Sequence, residues 1–374
     1  MAEQQTIPFR ADHVGSLLRP KELLAAREHA KAGRLPPAEL KKVEDEAIRR
    51  VARMQEELGL HGITDGEFRR QAWHMDFLYQ FGGVTKQQDP LTIRFHNEGG
   101  DVEFQPSSLR VTGKLTLEKT IFGDEFKFLQ SVVTKGVPKL TIPSPCMMTY
   151  RGGNDVIDRA VYPDLDEFRA DLGRVYREEI AALAKLGCTY LQIDDTSFAY
   201  LNDPDQRAYV AAHGGDATNQ HLVNLALFND AVRDKPQGMH ICVHMCRGNH
   251  RSSWVASGGY DYVADAVFNR LDVEGYFLEY DDARSGGFEP LRFLPKGKKR
   301  VVLGLLSSKR SALEEKDAIR RRIDEATKYV SLDQLCLSPQ CGFASTEFGN
   351  KLTLDQQNAK LRLVVELAHE IWGT

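Results

Sequence analysis

The sequence predicts an α/β chain folded as a single (β/α)8 barrel of the TIM type, residues 1–374, with a small antiparallel β insertion at about 91–119. Three observations carry that expectation. Short apolar segments alternate with amphipathic helical patterns along the chain, in about eight units, which is the signature of βα repeats and not of a sandwich or a bundle. Polar groups capable of chemistry stand where those apolar segments end, from one end of the chain to the other: Asp65 and Glu67, Asp194, His244 and Cys246, Glu279, and Cys341. A barrel brings such strand ends together on one face, whereas an open doubly wound sheet gathers them at a switch point. Finally, no Gly-x-Gly-x-x-Gly or phosphate-loop pattern supports the open sheet.

Taken in order, the first apolar segment runs to His13-Val14-Gly15-Ser16-Leu17, and a helical stretch follows from Pro20. The spacing then predicts a long helix over 37–58, with Val43, Ala47, Val51, Met54 and Leu58 three and four apart on one face. It leads into Gly62-Ile63-Thr64-Asp65-Gly66-Glu67. Asp65 and Glu67 there are either helix N-terminal caps, which carboxylates favour, or part of a site. Beyond Leu91 the period changes to two, with Ile93/Phe95, Val102/Phe104 and Leu115/Leu117 set against polar neighbours, as in an antiparallel ribbon. The βα rhythm resumes at Lys139 to Pro145, followed by a helix near 166–186 and the apolar segment that ends in Ile193-Asp194-Asp195. Further helices read near 216–232, 260–271, 314–330 and 354–372.

Composition narrows the function classes. Of 374 residues, 42% are apolar and 27% charged, with a formal net charge of −4. That balance makes no electrostatic case for nucleic acid or an anionic membrane, and it favours small-molecule partners. The amino-terminal stretch has no apolar signal core, and the aliphatic run Val301 to Leu306 is too short to span a bilayer, so a cytoplasmic location is expected. Six cysteines in a chain this long fit reduced thiols and metal ligation better than a disulfide framework.

The stretch Gly238 to His250 puts Cys242, His244 and Cys246 in alternation. In a strand, His244 and Cys246 project from one face with α-carbons roughly 6 to 7 Å apart, which suits two ligands of one zinc ion. The alternative is a buried strand with a packed thiol and a satisfied imidazole. Cys341, in Ser338-Pro339-Gln340-Cys341-Gly342, again follows an apolar run, and Glu279 ends Gly275-Tyr276-Phe277-Leu278. Two thiolates, an imidazole and a carboxylate make a plausible tetrahedral zinc set. Glu274, Asp281, Asp282 and Glu289 are rivals to Glu279.

His-Met-Cys, then Glu279, then Pro-Gln-Cys-Gly resembles the zinc-ligand series of the cobalamin-independent methionine synthase family, in its catalytic half. Full-length members resemble two barrels in tandem, and this chain looks like the catalytic barrel alone. The resemblance implies zinc held by His244, Cys246, Glu279 and Cys341. By position Glu67 and Asp194 resemble the carboxylates that hold the amino group of homocysteine, and Gly15-Ser16 the donors that hold its carboxylate. Zinc lowers the pKa of a coordinated thiol, so the implied reaction is attack of the homocysteine thiolate on a methyl group, giving methionine.

The methyl donor is the open point. The family carries an Asp-Ile-His-Ser segment whose His looks like the acid that protonates a folate leaving group, and this chain reads Gly304-Leu305-Leu306-Ser307. The family's aromatic platform after Gly-Pro-Val-Thr is likewise not evident in Ser144-Pro145-Cys146-Met147. Trp73, His74 and Phe77, with Arg69 and Arg70, could offer a stacking and cationic surface, or Trp73 and Phe77 could simply pack a helix. Methyltetrahydrofolate, methylcobalamin or a methylated corrinoid protein all stay open as donors. So do two other readings: an epoxyalkane:coenzyme M type of thiol alkyltransferase, and a zinc-binding barrel without catalysis. Coenzyme M has no amine, so Glu67 and Asp194 would suit it poorly. The longer interval from Cys246 to Glu279 than in the family suggests an insertion between Arg247 and Gly259.

Overall fold

The computed structural model describes residues 6–87, 92–105 and 107–373. Among them are eleven strands: β1 (Gly62–Ile63), β2 (Gly82–Gln87), β3 (Ile93–Asn97), β4 (Gly100–Phe104), β5 (Ser108–Thr116), β6 (Val137–Pro143), β7 (Tyr190–Asp195), β8 (His240–Met245), β9 (Gly275–Glu279), β10 (Arg300–Leu306) and β11 (Leu335–Pro339). Seven of these form one sheet in the order β1-β6-β7-β8-β9-β10-β11. Every neighbouring pair is parallel. The sheet curls towards the barrel form, and the chain near Ala11 stands between its two edges. There Asp12 N donates to Leu337 O and Leu337 N donates to Arg10 O. On the other side the links are His13 Nε2 to Gly62 O and Thr64 Oγ1 to Gly15 O through side chains, and Leu17 N donating to Gly66 O through the backbone. The segment His13 to Leu17, expected as a first strand, is therefore a single bridge at Ala11 followed by irregular chain.

The predicted helices fall where the periodicity puts them, with ends trimmed. Pro37–Leu58 is helical over its expected range, begun by proline at its first turn and ended by Gly59 at φ 90°. Ala47, Ile48, Val51 and Ala52 are its buried face. The later helices are Leu165–Lys185, Gln220–Val232, Asp261–Arg270, Lys316–Ala326 and Leu354–Trp372. Asp164 caps the first of these, and a Thr353/Gln356 capping box starts the last. Between β9 and β10 the alternation breaks: only the 3-10 turns Ala283–Ser285 and Glu289–Phe293 connect them.

The antiparallel region begins at Gly82, ahead of the expected start, which at Leu91 lies outside the described residues. It is two ribbons and not one: β2 pairs with β5, and β3 pairs with β4. The β3/β4 ribbon reaches over the barrel mouth, where His96 and Trp254 exchange backbone hydrogen bonds of 2.6 and 2.9 Å. It thereby grips the 247–259 stretch, and Phe95, Tyr200, Val255 and Ala256 form a small core of their own beneath that contact.

Inside the sheet, the lower layer is closed by Ile7, Phe9, Tyr190, Cys242, Phe277, Val302 and Cys336. Lys139 and Asp12 form a fully buried ion pair of 3.0 Å there, with Tyr190 OH donating to the other Asp12 oxygen at 2.7 Å. A buried pair of this kind tolerates removal of neither partner alone. Cys242 belongs to this floor, which leaves His244 and Cys246 one layer higher.

Candidate metal centre and active-site cleft

Register places the site before any side chain is considered. Asp194 pairs with His244 across β7 and β8, and His244 with Phe277 across β8 and β9. Glu279 ends β9 opposite Gly304. An added Cβ at Gly304 would lie 2.5 Å from the Gln340 Cα and 2.7 Å from Leu278 O, so glycine is required for β10 to run this close to its neighbours.

His244, Cys246, Glu279 and Cys341 are all buried, and one donor atom from each lies within 4.8 Å of the others. The Cys246 and Cys341 sulfurs are 3.5 Å apart. A tetrahedron of zinc–sulfur bonds has an edge of roughly 3.8 Å, so this spacing fits a shared ion. Two further atoms fit the same test. His244 Nε2 and Glu279 Oε2 are buried without a hydrogen-bond partner, while the opposite atoms of those side chains are engaged: Nδ1 faces Phe277 O at 3.3 Å and Oε1 accepts from Arg247 N at 2.9 Å. Unsatisfied buried donors and acceptors of this kind are costly unless something occupies them. Asp281 and Asp282 instead contact Arg284 and Arg310, and Glu274 pairs with Lys235.

The electrostatics suit a cation. The neighbouring Cys246 thiol and His244 hold Cys341 well below the ordinary thiol value, and Cys246 is pushed up in return by Cys341 and by burial. Burial opposes ionisation of Glu279, but Lys309, Arg284 and His244 outweigh it and keep the carboxyl below its usual range. Lys309 Nζ is 3.7 Å and Arg284 Nη2 3.9 Å from Glu279 Oε2. Asn249 adds an outer contact, its Nδ2 lying 3.5 Å from Cys341 Sγ and donating to Gly342 O at 2.7 Å.

The cleft above this cluster is lined by Ser16, Glu67, Asp194, His244, Cys246 and Cys341 among others. Glu279 lies behind the thiols, fully buried. Glu67 has a left-handed backbone, φ 61°, directly after Gly66 at φ 67°. Its carbonyl accepts from Arg19 Nη2 at 2.8 Å and its N–H donates to Asp65 Oδ1 at 2.8 Å, so Asp65 serves the turn. Glu67 Oε1 accepts from Thr141 at 2.8 Å and Oε2 is buried without a partner. Burial raises the Glu67 carboxyl. Burial also pushes Asp194 up to about 7, with Glu67 adding to the rise and His244 opposing it. Two desolvated carboxyls in one cleft favour a cationic ligand, although Arg70 Nη1 already stands 3.5 Å from Glu67 Oε1. Gly15, at φ 134°, packs against Thr141 and Glu67, and the Ser16 hydroxyl lies so close to Gly342 that no Cβ fits there.

The other residues singled out from sequence separate. Trp73 and His74 line the cleft, but Phe77 is core, packed on Phe81, Phe122 and Tyr176. Arg69 is paired with Glu44 and Asp45, and Arg70 with Glu67 and Thr141. Leu305 and Leu306 are buried at the end of β10. Sequence reading missed Lys309, Arg284, Asn249 and Arg151. Asn249 stands three residues after Cys246 and was within reach of a motif reading; the other three matter only through neighbours that folding supplies.

A family model described as the catalytic domain of cobalamin-independent synthase matches residues 124–370. The chain belongs to the cobalamin-independent methionine synthase family. Members are methyltransferases. The YxjH protein of Bacillus subtilis is 45% identical over 370 residues, covering 99% of this chain and 96% of its own. A methionine synthase of Pyrococcus abyssi is 25% identical, over 88% of this chain and 84% of that protein. Among solved structures, a Listeria monocytogenes protein described as a candidate vitamin-B12 independent methionine synthase superposes with a TM-score of 0.79 at 39% identity, over 99% and 100% of the two chains. A Shewanella B12-independent methionine synthase shares the fold, with a TM-score of 0.72 at 19% identity over 97% and 98% of the chains. No helix among the described residues is long and apolar enough to cross a membrane.

Proposed function

We propose that this family member transfers a methyl group to the sulfur of homocysteine, giving methionine, with zinc held by His244, Cys246, Glu279 and Cys341. The observation that carries this reading is one cleft lined by the His244, Cys246 and Cys341 donors, with Glu279 behind them, and by the desolvated pair Glu67 and Asp194. Zinc, when bound, supplies depression of a ligated thiol's pKa. The protein's own groups do the rest. Glu67 and Asp194 hold the substrate ammonium by charge-assisted hydrogen bonds. Ser16, with the backbone at Gly15, receives the carboxylate. The buried walls exclude water, so those contacts keep their strength. In support, the Shewanella protein is described in complex with selenomethionine, the selenium analogue of the product, and the Pyrococcus relative bears the name methionine synthase.

An epoxyalkane:coenzyme M reading is disfavoured, because a sulfonate would bring a further negative charge to the buried Glu67 and Asp194 and supply no ammonium to them. The donor is methyltetrahydrofolate or a methylated corrinoid, free or on a corrinoid protein. The family histidine is absent from the Leu305-Leu306-Ser307 corner, and general acid catalysis is typically worth about 10² to 10⁴ in rate. A donor whose leaving group needs no proton is therefore favoured. All six cysteines are free and buried, in keeping with action in the cytosol. The test pairs metal analysis with methionine formation from homocysteine, using methyltetrahydrofolate and methylcobalamin in parallel. One zinc per chain and faster turnover with methylcobalamin are expected. Zinc-free protein that is fully active would sink the reading, and rapid turnover with methyltetrahydrofolate alone would overturn the weight given to the missing histidine.

A further inference from the structure

Arg247 directly follows the candidate ligand Cys246, and its side chain is fully buried. Its Nε, Nη1 and Nη2 have no hydrogen-bond partner, and no carboxylate of the described residues pairs with it. A guanidinium in that state has lost its water without gaining a counter-charge, which destabilises the fold. What the charge does meet is a ring. The guanidinium carbon lies 4.3 Å from the centre of the Tyr260 ring, an attraction that strengthens where water is excluded.

Tyr260 leads from this contact to a second candidate ligand. Its hydroxyl accepts from the Glu279 N–H at 2.9 Å and donates to Glu279 O at 3.4 Å, so one phenol brackets both backbone groups of that residue. Burial pushes the phenol up to about 12, with Arg247 opposing the rise, and the hydroxyl keeps the proton it donates. Tyr260 is itself fixed, because its carbonyl accepts from Val263 N and Ala264 N at 3.2 and 2.9 Å where the helix Asp261–Arg270 begins. The backbone of Arg247 completes the circuit. Its N–H donates to Glu279 Oε1 at 2.9 Å, while its carbonyl accepts from Val255 N and Ala256 N. Glu279 Oε2 is then the carboxylate oxygen left without a hydrogen bond.

We infer that Arg247 and Tyr260 are positioning residues for Glu279: the stacked pair ties the residue after one metal donor, Cys246, to the backbone and carboxylate of another, and so aims Glu279 at the cluster. Neither is among the residues that line the cleft, so their effect reaches the chemistry only through that ligand. The inference rests on the proposed zinc reading and adds to it the means by which the carboxylate at the end of β9 is oriented. It also gives a role to a buried cation that the fold otherwise carries at a cost.

The test measures zinc affinity of the full chain by competition with a chromophoric chelator, in the wild type, in Tyr260→Phe, Arg247→Met, Arg247→Lys and Glu279→Gln, and in Tyr260→Phe combined with Glu279→Gln. Tyr260→Phe keeps the ring under the guanidinium and removes the hydroxyl, so it should lower zinc affinity about tenfold or more, the usual effect of losing an outer contact to a ligand. Arg247→Met keeps the length of the side chain and loses its charge; it should act likewise, with Arg247→Lys retaining part of the affinity. If Arg247→Met does not fold, Tyr260→Phe decides alone. Because the pair acts through Glu279, Tyr260→Phe should bring no further loss once Glu279→Gln is present, whereas a residue that merely supports the fold would give losses that add. With cobalt(II) in place of zinc, the ligand-field bands should shift in Tyr260→Phe while the sulfur-to-cobalt charge-transfer band stays. Wild-type zinc affinity in Tyr260→Phe or in Arg247→Met overturns the inference, as do additive losses with Glu279→Gln, and the zinc reading survives each of these. A wild type that takes up no zinc, or a Glu279→Gln chain that binds it as tightly as the wild type, refutes that reading and the inference together.

Discussion

Glu67 is held in a backbone conformation that costs a non-glycine residue about 1 to 2 kcal/mol, and Arg19, Asp65 and Thr141 fix it there. Strain of that kind persists where a side chain must be aimed. Its partner in the proposed ammonium site is the better one to test. Asp194→Asn should weaken homocysteine by about 10- to 100-fold, the loss of a charge-assisted hydrogen bond, while zinc content stays unchanged. The same variant should bind 4-mercaptobutyrate, which lacks the amine, as the wild type does. Equal losses for both thiols would show that Asp194 acts on the site's shape and not on the ammonium. Asn249→Ala should lower zinc affinity by about 10- to 100-fold, the usual effect of an outer-shell partner, as measured by competition with a chromophoric chelator. Unchanged affinity would remove Asn249 from the metal's support. That His244, Cys246, Glu279 and Cys341 would come together was legible from their places at the ends of apolar segments and from the family resemblance, which also singled out Glu67 and Asp194. Arg151 and Lys309 were not legible. The one has no carboxylate within ion-pair distance among the described residues and the other approaches Glu279 from the loop after β10, and neither fact exists before folding.

Among the elements, long amphipathic helices were the most legible, since burial of one face and a proline or glycine at an end are both written in the chain, as in Pro37–Leu58. The ribbons were the least. β2 opens with Gly82-Gly83, and Gly83 packs so tightly on Gly113 that a Cβ would lie 2.5 Å from its carbonyl oxygen. A strand that begins with two glycines and stays half exposed carries little period-two signal, so the antiparallel region was expected to start at Leu91. The stretch from Arg247 to Gly259 stood out in sequence only by its length, and its pairing with β3 through His96 and Trp254 was not legible. Helix Leu165–Lys185 carries a separate test. Glu179 is fully buried on its inner face, and burial pushes its carboxyl up to about 8, although it accepts from Ile121 N at 3.0 Å. Because the folded value lies above that of the unfolded chain, the folded state binds the extra proton between about pH 4.3 and about 8. Stability from this group is therefore full below that window and is lost as pH rises through it, at up to about 1.4 kcal/mol per unit. Thermal or urea unfolding from pH 6 to 9 should show Glu179→Gln gaining on the wild type as pH increases. Parallel curves would mean that Glu179 does not titrate in this range.

At the scale of the whole molecule, the sheet turns strand ends from six parts of the chain towards one mouth. The eighth position of the barrel is filled by an irregular segment, 10–17, tied in by the Ala11 bridge to Leu337, by His13 and Thr64, and by Leu17 N donating to Gly66 O rather than by a continuous ladder. That substitution was not visible in advance, because His13 to Leu17 has the composition of a buried strand. The β3/β4 ribbon and the 247–259 stretch then roof the mouth, so that one cleft is lined by Glu67, Arg151, Asp194, His244, Cys246 and Cys341 together. The claim on which this functional reading turns is that the substrate thiol joins the cluster formed by His244, Cys246, Glu279 and Cys341. Zinc X-ray absorption on the purified protein, with and without saturating homocysteine, tests it most directly. The expected result is two sulfur neighbours in the free protein, from Cys246 and Cys341, and three when homocysteine is present, while methionine leaves the count unchanged. A first shell that keeps two sulfurs at saturating homocysteine would contradict it.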